Sequence, residues 1–147
     1  MEVYLKIKDL VDRETTAWNL KDTSALISVF HQDMVWPWPQ TNTDHDPMNW
    51  VLVQGKFNAQ RWSKGWQDLF DTHDLIHNHR NIKKIEISKE EDGAFAVVDI
   101  DTLWRNKTTG IEMNWKGRTC KTYSCSNGVW KMIHQVGVLD YAMPIKD

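Results

Sequence analysis

The stretch that most constrains the fold of this chain is residues 111–140, which predicts two β-strands joined by a tight turn at Asn127 and Gly128. Both turn residues tolerate the positive φ angles that two-residue hairpin turns require. In the returning strand, alternate side chains form two sets: Trp130, Met132, His134, Val136 and Val138 on one side, and Lys131, Ile133, Gln135, Gly137 and Leu139 on the other. Both sets are largely apolar, so we expect helices against one face of the sheet and another cover, such as a second subunit, against the other.

Length, charge and cysteine content narrow the class of protein. The 147 residues suit one domain over residues 1–147 with a hydrophobic core of its own. A net charge of −2 gives no electrostatic steering toward nucleic acid or anionic lipid, so neither is expected as a partner. The first residues alternate apolar and charged side chains, unlike a signal peptide, and no apolar run reaches membrane-spanning length. Cys120 and Cys125 form neither a disulfide framework nor a zinc spacing, so a reducing cytoplasm is the expected location.

The first half of the sequence predicts three helices and one short strand. Apolar residues at helical spacing cover residues 2–20, and Asp22 is a suitable N-cap for a second, shorter helix. Residues 31–39 form a short strand that its prolines end, and residues 40–54 form a long connection of the kind that is either a functional cover or mobile. Asn58 begins a third helix that ends near residue 71, with Phe57 and Trp62 placed to pack across its N-cap.

One acidic residue, Glu14, interrupts the apolar stripe of the first helix. It stands one turn from Leu10 on one side and one turn from Trp18 on the other. Two arrangements fit this position: the carboxylate lies at the edge of the stripe and reaches solvent, or it is enclosed with a partner. If it is enclosed, loss of solvation would raise its pKa and make it a candidate general acid or base.

Nine tryptophans in 147 residues are an unusual number. Each indole buries a large apolar area and carries one N–H group that needs a partner. Five of them are candidates for lining an apolar pocket: Trp18, Trp36, Trp38, Trp62 and Trp66. Ordinary core packing explains them equally well.

Histidines are concentrated in residues 72–81, which contain His73, His77 and His79. No acidic residue stands at a convincing spacing for a third ligand, so no metal site is predicted. His45 lies between two aspartates in a polar loop, where adjacent side chains rarely converge on one ion. His77 is a candidate for a pocket-lining proton carrier, and the alternative is that these histidines are exposed or structural.

Strands are predicted at about residues 79–89 and 94–105, with a turn between them. On the second strand Asp99 and Asp101 share one face, and the opposite face is apolar. If this strand pairs with the next one, Arg118 falls opposite Asp99. The group is either an Asp–Arg ladder on the surface or the polar floor of a pocket, in which the two aspartates would be candidate catalytic groups.

The order of these elements resembles the nuclear transport factor 2-like (NTF2-like) superfamily, and most of all its SnoaL-like and ketosteroid isomerase-like members. The segments that carry the resemblance cover nearly the whole chain: residues 18–22, 26–30 and 33–36, Gly55, His77, Asn81, Ala96, Gly117, Arg118 and residues 127–134. The resemblance implies an α+β fold, in which three N-terminal helices pack on a curved antiparallel β-sheet in the shape of a cone. It also implies an apolar pocket between the helices and the sheet, and a homodimer formed through the sheet.

The catalytic residues of the steroid isomerases are not present at the corresponding positions. An alignment without gaps from Asp22 to Pro39 places the general-base aspartate position at Trp38. The tyrosine of the first helix corresponds to Glu14, and the second aspartate lies near Cys120. Since none of the three matches, the resemblance implies the fold and not that reaction.

Two functional hypotheses follow. The first is a cofactor-free enzyme that acts on a small, largely apolar molecule by acid–base isomerisation, cyclisation, dehydration or hydrolysis. Its candidate catalytic residues are Glu14, His77, Asp99 and Asp101, and its candidate ligand-binding residues are the five tryptophans with Asn81, Arg118, Lys121 and Gln135. The second is a non-catalytic ligand-binding or dimerisation module, in which the apolar set from Trp130 to Val138 contacts a second subunit. No nucleophile elbow, phosphate loop or dinucleotide motif occurs, which argues against serine hydrolase, phosphoryl-transfer and hydride-transfer chemistry.

Overall fold

The computed structural model describes residues 1–140, so residues 141–147 of the expected domain lie outside the described part of the chain. The helices are α1 (Glu2–Leu20), α2 (Thr23–Ser28) and α3 (Ala59–Thr72), with a short 3-10 helix at Pro47–Asn49. The strands are β1 (Phe30–Val35), β2 (Pro37–Trp38), β3 (Val51–Leu52), β4 (His73–Ile87), β5 (Gly93–Asn106), β6 (Glu112–Ser126) and β7 (Val129–Leu139). None of the helices in residues 1–140 combines the length and apolarity needed to cross a bilayer.

Local capping signals define the ends of the helices. The Asp22 side chain accepts a hydrogen bond from the Ala25 amide at 3.0 Å, and Asn58 accepts one from the Arg61 amide at 2.9 Å. Both predicted N-caps are confirmed, because each satisfies an amide that the helix leaves without a partner. The rings of Phe57 and Trp62 are 5.1 Å apart, as the predicted contact across the third N-cap requires.

Three helices pack on a mostly antiparallel sheet with the strand order β1-β7-β6-β5-β4, which confirms the predicted α+β class. The exception to the antiparallel pattern is β1, which pairs with β7 in parallel. Register shifts in β4 and between β6 and β7 mark irregularities of the bulge type, which bend long strands. We call the side that packs against the helices the inner face, with Ile100 and Lys121 on it, and the opposite side the outer face, with Asp99 and Arg118 on it.

Strand β4 begins earlier than predicted. It starts at His73, directly after α3 ends at Thr72, and not near residue 79. His73 and His77 therefore lie on this strand, and the predicted start of the strand is several residues too late. The long pairing with β5, from His73 opposite Asn106 to Ile87 opposite Ala94, outweighs the polar composition of these residues.

The predicted division of β7 into two faces is wrong at its middle. Met132 pairs with Tyr123, but His134 pairs with the preceding residue, Thr122. This shift moves the alternation by one residue, so Trp130 and Met132 lie on the inner face while His134, Val136 and Val138 lie on the outer face. The apolar set from Trp130 to Val138 is therefore not one surface, and Gln135 lies on the inner face, where it is buried.

The long connection over residues 40–54 contains structure of its own. Strand β3 pairs with β2 in a separate two-stranded ribbon, and the amide of Val53 donates to the carbonyl of Trp36 at 2.8 Å. The indole of Trp50 donates to the Asp44 carbonyl at 3.0 Å within the connection. The ribbon places Trp38 and Val53 over the space between the helices and the inner face.

Candidate ligand-binding site

A cavity of about 210 Å³ lies between the helices, the β2–β3 ribbon and the inner face of the sheet. Nine residues line it: Trp18, Trp36, Trp38, Val53, Trp66, Arg80, Ile100, Trp115 and Gln135. Five of the nine are tryptophans, so the wall is mainly apolar and aromatic. Such a concave apolar space with a few polar groups is the usual form of a small-molecule site.

Each wall of the cavity comes from a different element. Trp18 projects from α1 and Trp66 from α3, and their rings meet edge to face with centroids 5.1 Å apart. Trp36 lies 5.3 Å from Trp66, and Trp115 of β6 lies 6.4 Å from Trp66. These separations are within the range of favourable aromatic pairs, so the indoles hold one another in place around the cavity.

A buried group of charges lies beside the cavity. The Glu14 carboxylate is 2% exposed and contacts three groups. The indole of Trp18 donates to it at 2.9 Å, and the Lys121 ammonium lies 2.9 Å from Oε1 and 3.0 Å from Oε2. Nη1 of Arg80 is 3.7 Å from Oε2. Lys121 also donates to Oε1 of Gln135 at 2.6 Å, which connects this charge cluster to the cavity wall.

The surroundings of these groups shift their pKa values in different directions. Burial acts to raise the pKa of Glu14, but the charges of Lys121 and Arg80 and the hydrogen bond from Trp18 together hold it below the ordinary value. Burial lowers the pKa of Lys121 to about 8, although Glu14 opposes this effect. At neutral pH both groups are therefore predominantly charged and act as an ion pair.

A chain of hydrogen bonds positions Arg80. Its Nε donates to Oδ1 of Asn78 at 2.7 Å, and its Nη2 donates to the hydroxyl of Thr102 at 3.2 Å. Thr102 donates in turn to the same Asn78 oxygen, and Asn78 donates to Asn19 at the end of α1. The guanidinium carbon is 5.9 Å from the centre of the Trp18 ring. The guanidinium is therefore held between the Glu14 carboxylate and the ring of Trp18.

Of the two arrangements that the sequence left open for Glu14, the structure shows the enclosed one. The expected rise in its pKa is wrong, because two cations and an indole N–H stabilise the ionised form more than burial destabilises it. Glu14 is not among the residues that line the cavity. The geometry thus gives it the role of a counter-ion that positions Lys121 and Arg80, and the catalytic role stays a prediction.

The other candidate catalytic residues lie on the outer face, away from the cavity. His77 is 2.8 Å from Asp101, and Asp99 forms two contacts with Arg118 at 2.7 and 3.0 Å. Asn81 pairs with Asp99 across the strands. Because side chains alternate along a strand, their positions direct them to the side opposite Arg80 and Ile100. The Asp–Arg pair is not the floor of the tryptophan-lined cavity, but Asp99, Asp101 and Asn81 line a separate cavity of about 290 Å³ on the outer face.

Only some of the candidate ligand-binding residues lie at the cavity. Trp18, Trp36, Trp38, Trp66 and Gln135 line the cavity. Trp62 is fully buried and packs in the core instead, against Phe30, Trp36 and Phe57. Lys121 lies behind Gln135 in the charge cluster, and Asn81 and Arg118 lie on the outer face.

Four lining residues were missed in the sequence: Val53, Arg80, Ile100 and Trp115. A signal for Arg80 was present, since it alternates with His77, His79 and Asn81 in a stretch without a register shift and therefore lies on the opposite face. Ile100 was assigned to the correct face but not to the site. Val53 carries no signal, because its position depends on the pairing of β2 with β3.

Within residues 1–140 no group of three or more histidine, cysteine, aspartate or glutamate side chains is arranged to hold a metal ion. His73, His77 and His79 lie along β4. The rings of His77 and His79 stack with centroids 4.8 Å apart. This stacking accounts for their proximity by packing on the outer face.

The helices, the curved sheet and the enclosed cavity together define an NTF2-like cone. A ketosteroid isomerase-like protein from Erwinia carotovora atroseptica SCRI1043 has a TM-score of 0.68 at 18% identity, over 92% of this chain and 95% of that chain. An NTF2-like superfamily protein from Salmonella enterica serovar Typhimurium has a TM-score of 0.68 at 11% identity, over 99% and 96%. An NTF2-like protein of unknown function in nutrient uptake from Rhodospirillum rubrum has a TM-score of 0.67 at 14% identity, over 90% and 97%. No family model and no curated protein sequence matches the chain.

The predicted resemblance is therefore confirmed as a similarity of fold. The fold is one that many proteins use for different purposes, so it does not choose among activities. What this chain does has to be argued from its own cavity.

Proposed function

We propose that this protein binds a small, largely apolar molecule in the tryptophan-lined cavity. The observation that carries the proposal is the enclosure of about 210 Å³ by five indoles, Val53 and Ile100, with only Arg80 and Gln135 as other polar groups. Cavities for drug-sized ligands measure roughly 300–1,000 Å³, so the occupant is a smaller molecule, of about one aromatic ring. Flat rings suit this wall because they pack edge to face or offset against indoles.

The geometry supports binding more strongly than acid–base catalysis. The nine lining residues contain no histidine, carboxylate or lysine, so none of them titrates near neutral pH. The candidate proton carrier Glu14 is ion-paired behind the wall, and His77, Asp99 and Asp101 are on the outer face. A catalytic role would need a proton carrier that contacts the ligand. Isomerisation, cyclisation, dehydration or hydrolysis therefore takes second place to the non-catalytic alternative.

Filling the cavity should prevent binding. Val53→Phe places a ring in the space between Trp38 and the inner face, and Val53 lies just after β3 in the connection that leads to α3. We expect the affinity for toluene, measured by isothermal titration calorimetry, to fall at least about tenfold, which corresponds to about 1.4 kcal/mol.

The matched control is Val51→Phe. Val51 lies two residues away, is 44% exposed and does not line the cavity. This variant should bind toluene as the wild type does. Equal affinity in Val53→Phe, or no binding of toluene by the wild-type protein, would remove the proposal.

The homodimer implied by the resemblance also stays a proposal. The outer face exposes Phe95 and Val138, which are 40% and 37% exposed, beside the half-buried Val97, Leu103 and Val136. Apolar side chains on an uncovered face of a sheet favour pairing with a second copy. Light scattering that reports a monomer over the whole accessible concentration range would contradict it.

A further inference from the structure

The side chains around the cavity are almost entirely hydrogen-bond donors. An indole has one N–H donor and no acceptor, and a guanidinium has only donors. Seven of the nine lining residues have polar side-chain atoms, namely the five tryptophans, Arg80 and Gln135. The sole acceptor among these side chains is Oε1 of Gln135, and Lys121 already donates to it at 2.6 Å.

The contact with Lys121 determines how the Gln135 amide is oriented. An ammonium group can only donate, so the amide oxygen must face Lys121 and the NH₂ group must point elsewhere. Within residues 1–140 this NH₂ group donates to no protein acceptor. Unlike the N–H groups of Trp36 and Trp66, which are buried without a partner, it is not fully buried. It is a free donor of a residue in the cavity wall.

Arg80 has unused donors as well. Its Nε and Nη2 are committed to Asn78 and Thr102. Its Nη1 has Glu14 as its nearest acid, at 3.7 Å, which is longer than a hydrogen bond. Among the described residues no other group accepts from Nη1. An occupant with an oxygen acceptor would therefore satisfy donors on both Arg80 and Gln135.

The charge cluster has one positive charge too many. Lys121 and Arg80 contribute +2 and Glu14 contributes −1, which leaves +1. Glu14 is the only acidic side chain that is buried in residues 1–140. An unbalanced charge in a poorly solvated site is unfavourable, so this arrangement favours an occupant that brings a negative charge.

We propose that the occupant of the cavity is a small aromatic carboxylate. Its ring lies among the indoles, and its carboxylate accepts hydrogen bonds from Nη1 of Arg80 and from Nε2 of Gln135. A carboxylate suits this pair of donors because it is planar and small, and because arginine forms its strongest hydrogen bonds with such groups. This inference rests on the proposed function, since it names the class of molecule that the same cavity binds.

Three one-ring probes test the inference: benzoate, benzamide and toluene. Benzoate and benzamide have the same shape and differ in charge, while toluene has neither charge nor acceptor. By isothermal titration calorimetry at neutral pH, we expect the wild-type protein to bind benzoate roughly tenfold to a hundredfold more tightly than benzamide. This comparison needs no variant, so it stands even if a substitution disturbs folding.

A variant then assigns the preference to Arg80. Arg80→Gln leaves Glu14 and Lys121 as a neutral pair, and we expect it to lose roughly tenfold to a hundredfold in benzoate affinity while toluene affinity changes little. The control is Lys84→Gln, which removes the same charge from the same strand at a side chain that is 64% exposed. Benzoate binding by this control should equal that of the wild type.

The outcomes separate this inference from the proposed function. If toluene binds in the cavity and benzoate binds no more tightly than benzamide, the carboxylate is excluded and the apolar site remains. If Arg80→Gln and Lys84→Gln weaken benzoate equally, the contact with Arg80 is wrong. If none of the three probes binds, both the inference and the proposed function fail.

Discussion

Replacing Glu14 with leucine is expected to lower the free energy of unfolding by about 3–5 kcal/mol. The substitution removes the only buried acid in the described part of the chain and leaves Lys121 and Arg80 without a counter-ion. It also removes the acceptor of the Trp18 indole. Unfolding in urea, followed by circular dichroism, measures the loss. A change of less than about 1 kcal/mol, typical of a surface substitution, would contradict the charge cluster.

A second substitution provides the control. Glu14→Leu raises the net charge of the cluster from +1 to +2, and adding Lys121→Met returns it to +1. The double variant should therefore be more stable than Glu14→Leu alone, and the double-mutant cycle gives the coupling between the two residues. If the two losses simply add, the ion pair is absent in solution.

The pH dependence of the free energy of unfolding tests the role of Glu14 independently. The pKa of Glu14 in the folded chain lies below the ordinary value of 4.5, so the unfolded chain takes up this proton first as the pH falls. The stability that Glu14 contributes is therefore present above pH 4.5 and is lost as the pH falls through the lowered pKa. The difference between the wild type and Glu14→Leu should shrink in that range.

Replacing Trp62 with alanine is expected to cost about 3–5 kcal/mol of unfolding free energy. Trp62 is 0% exposed, and its ring packs against Phe30, Trp36 and Phe57. Its indole donates to the carbonyl of Gln54 at 3.1 Å, which ties α3 to the connection after β3. Alanine leaves a cavity and removes one of the two side-chain hydrogen bonds that the Gln54 carbonyl accepts, the other being donated by Nε of Arg61. The same urea unfolding experiment measures the loss.

Trp50→Ala is the matched control for this substitution. Trp50 lies in the connection over residues 40–54, is partly exposed, and makes one hydrogen bond to a nearby carbonyl. Its loss should cost about 1 kcal/mol or less. If the two alanine variants are equally stable, the tryptophan core around α3 is not what holds the helices on the sheet.

The helices and the strand faces of β5 were predictable because their signals are local. The side chains of Asp22 and Asn58 each accept a hydrogen bond from the amide three residues ahead in the helix that they cap. Alternation along β5 places Asp99 and Ile100 on opposite faces. The pairing of Asp99 with Arg118 also followed, since a short turn sets the register between neighbouring strands. Each of these features depends on residues that are close in sequence or in one hairpin.

The parts that were not predictable depend on distant residues or on register. The pKa of Glu14 is set by Lys121, which is 107 positions away in the sequence. The faces of β7 depend on the register shift beside Tyr123, and nothing in the residues from Met132 to His134 marks it. The place of Arg80 in the cavity wall depends on its contacts with Trp18 and Glu14 of α1, which are distant in the sequence. Pattern alone therefore found most of the tryptophan wall and missed its charged group.

The most direct test of the cavity as a binding site is an NMR titration of the indole N–H signals with toluene. All nine tryptophans contribute one signal each, and assignment by single substitution distinguishes them. The cavity predicts that toluene moves the signals of its five lining residues, Trp18, Trp36, Trp38, Trp66 and Trp115. Trp50 and Trp130 lie elsewhere, and their signals should stay in place. Unchanged signals at saturating toluene, or shifts confined to Trp50 and Trp130, would contradict the account.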